Sequence, residues 1–222
     1  MGLFSSLMGK TKPVQSNLDN LFALPSASIT LQSAAGMSCS GHAGVCFKPP
    51  TGQGFEEMQA EVVKLLSMDG ASGFSKAEDS YGYHWLVVDD ADIEELVTRV
   101  HMVNSSLSDA GWGPQLLCSV FGLARLSGST AAGDPASDPQ PDPLFDPSAP
   151  MPEPTAGPGH VVPSTSYLVY LFKRGTFYPF VPEGHEKRNI EQELKLKSLV
   201  ADDLTIESDL DRWFPLWDLP VS

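Results

Sequence analysis

The chain has 222 residues, 14 Lys and Arg against 28 Asp and Glu, a formal charge of −14 and a pI near 4.6. That length makes one domain or a small pair, able to bury roughly 70% of its unfolded surface, and the acidic balance excludes a nucleic-acid binder, which needs clustered Lys and Arg to neutralise phosphates. No stretch reaches the ~18 consecutive apolar residues of a membrane-spanning helix, the first residues lack a secretory cleavage pattern, and three cysteines are too few for a disulfide framework, so a reducing cytoplasm is the expected compartment.

In chain order, residues 1–13 form an amphipathic segment: Leu3, Phe4, Leu7 and Met8 share one arc at helical spacing, with Ser5, Ser6 and Gly9 opposite and Lys10 and Lys12 behind. This predicts a short interfacial helix that makes weak peripheral contact with an anionic membrane surface. Residues 14–222 are expected to form a single α+β domain. Ser28–Leu31 and Val45–Phe47 read as short strands bounded by Gly, Ser and Pro. Phe55–Asp69 places Phe55, Met58, Val62, Val63, Leu65 and Leu66 on one helical face, and Ile93–Leu107 does the same with Ile93, Leu96, Val97, Val100, Val103 and Leu107 before Gly111 and Pro114 stop it. Between them, Tyr81–Val88 is aromatic and β-branched, a strand.

Gln115–Leu123, Tyr167–Phe172 and Thr176–Phe180 are three further strands, the last two joined by Lys173-Arg174-Gly175 in a hairpin whose Gly175 supplies a positive φ. Residues 128–163 interrupt this series. They hold ten of the nineteen prolines, no Lys or Arg, and Asp-Pro pairs at Asp134, Asp138, Asp142 and Asp146. Such composition predicts a disordered loop whose ends lie close together, since strands flank it. Lys187–Val200 reads as a final helix with Glu191/Lys195 and Glu193/Lys197 pairs. The expected order is ββαβαβββα, an α+β fold with a largely antiparallel sheet and helices packed on one face.

Cys39, His42 and Cys46 offer zinc-ligand types in C-x2-H-x3-C spacing, but a structural zinc site takes four ligands in paired short spacings. His84 lies in a strand and His101 at the margin of a helix face, and neither stands beside a nucleophile or carboxylate pair. Phosphate-loop, zincin and nucleophile-elbow motifs are lacking. The reading is therefore a non-enzymatic protein with no catalytic residue, metal or cofactor, the alternative being a metal- or Cys/His-dependent enzyme built on Cys39, His42 and Cys46. Asn104 falls on an apolar helical arc, where its amide needs partners from a neighbouring strand or loop, or from a small ligand. Lys173 and Arg174 form a basic tip suited to a carboxylate-rich partner or lipid phosphates. Trp213, Phe214 and Trp217 either dock on the domain's own core or mark a partner surface, and with Lys173 and Arg174 they make up the candidate partner-binding set.

The strings LDNLFALPSASITLQ, DSYGYHWLVV, VNSSLSDAGWGPQLLCSVF, YLVYLFKRGTFYPFVP and DLDRWFPLWDLP together resemble the bacterial PspAB family, PspA-associated proteins encoded in some bacteria beside phage shock protein A. The resemblance covers most of residues 1–127 and 164–222, and the Asp-Pro loop departs from it. It implies an accessory or adaptor protein of an envelope-stress response, cytoplasmic and close to the inner face of the membrane. It further implies that PspA or another component of that system is the partner, and it implies no known active site.

Overall fold

The computed structural model describes residues 17–48, 60, 64, 74–126, 166–184 and 186–221. The amphipathic segment 1–13 and the Asp-Pro loop 128–163 lie outside the described residues, as does the expected helix Phe55–Asp69 apart from Ala60 and Lys64, which are both helical. The chain enters through a 3-10 turn, Leu18–Ala23, that runs into helix α1, Leu24–Ala35. Pro25 falls in the first turn, where its missing N–H costs no hydrogen bond, and Gly36 closes the helix in the left-handed region at φ 60. Leu24, Ala27 and Leu31 are buried on one face. This corrects the expected strand at Ser28–Leu31. The β-branched Ile29 and Thr30 favour a strand locally, but the caps and the buried stripe outweigh them, leaving Ile29 in solvent at 69% exposure.

Strands β1 (Met37–Phe47), β2 (Phe74–Glu78) and β3 (His84–Asp89) follow, then helix α2 (Ile93–Leu107). Strands β4 (Leu116–Arg125), β5 (Ser166–Leu171) and β6 (Thr176–Phe180) lead to helix α3 (Ile190–Val200). The six strands form one sheet in the order β2-β3-β1-β4-β5-β6, with every neighbouring pair antiparallel. The described elements thus run αβββαβββα: the first expected strand is a helix, and β2 is an additional strand. Lys76 and Glu78 give β2 the polar character of an edge, which keeps a sheet margin from pairing with other chains and also hides the strand from hydrophobic periodicity. Leu123 pairs with Ser166 across β4 and β5, so the strands that flank the Asp-Pro stretch in sequence are hydrogen-bonded neighbours.

Helices α1, α2 and α3 cover one face of the sheet. Leu31, Val97, Val100 and Leu196 pack there against Val45, Leu86, Phe121 and Tyr170. The opposite face is equally apolar, with Trp85, Val120, Val169, Tyr178 and Phe180, and an irregular C-terminal strap, residues 207–221, covers it through Trp213, Trp217 and Val221. Burial on both faces explains why strands such as YLVYL read as continuous apolar runs.

Two local features carry measurable consequences. Gly175 holds φ 67 at the β5–β6 turn, and a Cβ built there would stand 3.2 Å from Asn17 Cβ. Gly175→Val is expected to cost ~1–3 kcal/mol through a strained positive φ and this contact. Urea unfolding checks it: a midpoint equal to the parent's would mean that the turn adapts.

Asp203, beyond α3, accepts hydrogen bonds from Thr30 Oγ1 at 2.6 Å and Ser26 Oγ at 2.7 Å, which together hold its carboxyl below the usual carboxylate range. A lowered folded value means that this tie stabilises the fold above the unfolded carboxylate pKa of about 4 and is lost as pH falls through the lowered value. The thermal midpoint should therefore hold level from pH 7 to about 5 and drop below about 4. Asp203→Asn should lower the neutral-pH midpoint and flatten its acid dependence; an unchanged acid limb would remove Asp203 from the account.

Candidate functional site

The site lies on the sheet face opposite α1, α2 and α3. At its edge, Asp79 ends β2 and organises the turn into β3: Oδ1 accepts the Tyr81 and Tyr83 amides, both at 2.9 Å, and Oδ2 accepts Trp85 Nε1 at 2.9 Å. The carboxylate fixes three aromatic residues through one side chain. From the other side comes the strap. Trp213 stacks on Tyr178 with ring centroids 5.9 Å apart and donates from Nε1 to the Glu207 carbonyl at 3.0 Å. The Tyr178 hydroxyl donates to the Phe214 carbonyl at 2.8 Å. At the far end Val221 descends onto Gly44, so closely that a Cβ at Gly44 would lie 2.7 Å from Val221 Cγ2.

Pinned at both ends, the strap arches between them and leaves a cavity of about 750 Å³ against the sheet. Cys46, Trp85, Cys118 and Tyr178 belong to the sheet side, while Leu216 and Trp217 come from the strap. Phe214 stands beside the opening at 55% exposure. Lys173, Arg174 and Arg212 also border the cavity. Arg174 is held by Glu207 at 2.6 Å and Arg212 by Asp209 at 2.9 Å, whereas Lys173 stands exposed on the hairpin. Burial alone would push the Glu207 carboxyl up, but the Asp209 amide, Arg174 and Thr176 all donate to it and hold it below the usual range. Burial raises the Tyr178 phenol well above its ordinary value. The Cys46 thiol is raised by its contact with Cys118 and by burial.

Of the candidate partner-binding residues, the structure brings Lys173, Arg174, Phe214 and Trp217 around this one cavity, although forty residues separate the two sequence clusters. Trp213 is 5% exposed and is used in packing the strap. Glu193 does not reach outward to Lys197; it is fully buried and paired with Arg188 at 2.7 Å, and Lys197 instead stands over the Trp213 ring. Leu3, Phe4, Leu7 and Met8, the candidate membrane contacts, lie outside the described residues.

The C-x2-H-x3-C residues do not converge. Cys39 packs with the helix-side core and burial raises its thiol pKa, Cys46 belongs to the opposite face, and His42 Nδ1 is 2.7 Å from Asp89 Oδ1 on the neighbouring strand. No group of three or more His, Cys, Asp or Glu placed to hold a metal occurs among the described residues. His84 faces Glu78 at 3.9 Å, and His101 packs on Phe22 with centroids 4.9 Å apart. Asn104, fully buried, donates to the Val100 carbonyl of its own helix at 2.8 Å and to Ser119 Oγ on β4 at 2.9 Å, so its main partner is a side chain rather than strand backbone. Among the described residues no helix is long and apolar enough to cross a membrane.

Sequence reasoning missed Asp79 and the facing of Cys46 on Cys118. The turn signal Asp-Ser-Tyr-Gly at 79–82 carries the first, because an Asx side chain before a Gly turn commonly caps backbone amides. The second has no local signal.

Fold and site together define an α+β protein whose α1, α2 and α3 cover one sheet face and whose other face holds a strapped aromatic cavity with charged residues of both signs at its border. The family model for PspAB, PspA associated protein B, matches residues 1–133 and 159–221, and the chain belongs to that family. The gap in the match falls within the Asp-Pro stretch, where departure from the family pattern is expected. No curated protein and no solved structure matches the chain. Membership points to an accessory role in the PspA system.

Proposed function

We propose that the chain is a non-enzymatic adaptor of a PspA-type envelope-stress response, binding PspA or another protein of that system at the inner face of the cytoplasmic membrane through the border of the strapped cavity. One observation carries the reading: Phe214, a large apolar side chain left 55% exposed, lines a largely apolar cavity that the exposed Lys173 also borders, in a chain of charge −14. An exposed aromatic at the edge of an apolar hollow is suited to anchor a partner. Asp79 and Glu186 share this border with Lys173, Arg174 and Arg212, and Glu207 and Asp209 hold the two arginines, so the exposed Lys173 is the charge that favours a partner segment combining an apolar side chain with a carboxylate. The amphipathic arc of Leu3, Phe4, Leu7 and Met8, followed by Lys10 and Lys12, supports work at an anionic lipid surface.

Affinity capture from cells with and without envelope stress tests the proposal, using the full chain and its Phe214→Ser variant. The parent should retain a protein of the PspA system and the variant should lose it. Capture of none of these proteins by a folded parent would overturn the proposal. Vesicle co-sedimentation tests the membrane part: salt-sensitive pelleting with anionic lipid should vanish when Leu3 and Phe4 become Ser, and equal behaviour of the two forms would remove it.

A further inference from the structure

Three cysteines in an acidic chain attract little attention, yet two of them meet. Cys46 on β1 and Cys118 on β4 are direct partners in the antiparallel register. Directly opposed residues of antiparallel strands have Cα atoms about 4.5–5.5 Å apart, within the roughly 4.4–6.8 Å that a disulfide spans. Both side chains belong to the same buried cluster on one face of the sheet, so the register sets the two thiols side by side. Both are free thiols.

Access separates this pair from ordinary buried cysteine. Cys46 is 2% exposed and Cys118 is 5% exposed, but both border the cavity of about 750 Å³ beneath the strap, a volume that admits molecules far larger than water. Cys39 lies on the helix side of the sheet and does not border it.

We propose that Cys46 and Cys118 are an oxidisable dithiol, converted to an intrachain disulfide by a small hydroperoxide that enters the strapped cavity. In the first step one sulfur attacks a peroxide oxygen, an S–O bond forms as the O–O bond breaks, the cysteine becomes a sulfenic acid, and the other oxygen leaves with the thiol proton as an alcohol (water, from hydrogen peroxide). In the second, the other sulfur attacks the sulfenic sulfur, the S–S bond forms, and water leaves with the remaining thiol proton. The pair loses two electrons and the peroxide gains them. Because the resolving thiol sits directly opposite on the neighbouring strand, the sulfenic acid is expected to be captured before further oxidation. The bond would join β1 to β4 behind the cavity and take away both S–H donors there. This inference stands apart from the adaptor reading, since the readout is the bond itself.

The test uses the full, reduced chain in native buffer with hydrogen peroxide as probe, followed by counting of free thiols, intact mass and peptide mapping. Free thiols should fall from three to one, the chain should lose two hydrogens in mass, and a peptide linking Cys46 to Cys118 should appear in monomeric protein and vanish with dithiothreitol. Cys39→Ser should form the same link. Persistence of all three thiols, sulfinic acid at either cysteine in place of the link, dimers joined through Cys39, or a link formed only in denaturant would each overturn the proposal.

Discussion

Arg188→Ala should destabilise the fold by about 3–5 kcal/mol, the cost of leaving a buried charge without its partner. The Arg188 side chain is 19% exposed and that of Glu193 is fully buried, and Nε and Nη2 both reach the Glu193 carboxylate, at 3.0 and 2.7 Å. Glu193 also accepts the Val181 amide at 3.0 Å, and Arg188 Nη1 donates to the Trp213 carbonyl at 2.5 Å. One guanidinium therefore ties α3, the end of β6 and the strap together, with its planar face over the Phe180 ring at 5.6 Å. Adding Glu193→Leu to Arg188→Ala should recover part of the loss, because the orphaned carboxylate is then gone. Urea midpoints at constant slope give both numbers. A single-variant cost below about 1 kcal/mol would show that the pair is solvated and marginal.

Trp213→Ala is expected to cost ~3–5 kcal/mol, whereas Phe214→Ser, one residue along, should stay within about 0.5 kcal/mol of the parent. Trp213 is 5% exposed, stacked on Tyr178 and hydrogen bonded to the Glu207 carbonyl, so truncation opens a cavity and frees a buried acceptor. Phe214 keeps more than half of its surface in water. Thermal unfolding of the two variants checks the contrast. Equal losses would mean that Phe214 supports the strap and is not free to anchor a partner.

The parts of this molecule legible in the sequence are those in which one local signal decides. Apolar periodicity and the Asp92 cap mark α2, and Gly175 between two apolar runs marks the β5–β6 hairpin. Where two signals compete, reading by residue type fails. At Ser28–Leu31 the β-branched pair Ile29-Thr30 points to a strand, but Pro25 and Gly36 bracket a helix, and Thr30 turns out to serve Asp203. Lys76 and Glu78 conceal β2 because an edge strand needs polarity where a central strand needs none. The gathering of the candidate site was not legible for a different reason. Lys173 and Arg174 meet Phe214 and Trp217 only because the strap folds back over β5 and β6, and Cys46 meets Cys118 only through the register of two strands some seventy residues apart. Glu193 reads as a solvent-side partner for Lys197 until the depth of Arg188 is known.

Binding of a PspA-system protein at the border of the strapped cavity is measured by titrating purified PspA into the full chain, with Lys173→Glu, Phe214→Ser and the double variant alongside. Binding to the parent should be saturable, weaken at least tenfold in each single variant, equivalent to about 1.4 kcal/mol, and disappear in the double variant, while all four proteins unfold at the same midpoint. Equal affinity of parent and double variant would rule out the cavity border as the binding surface.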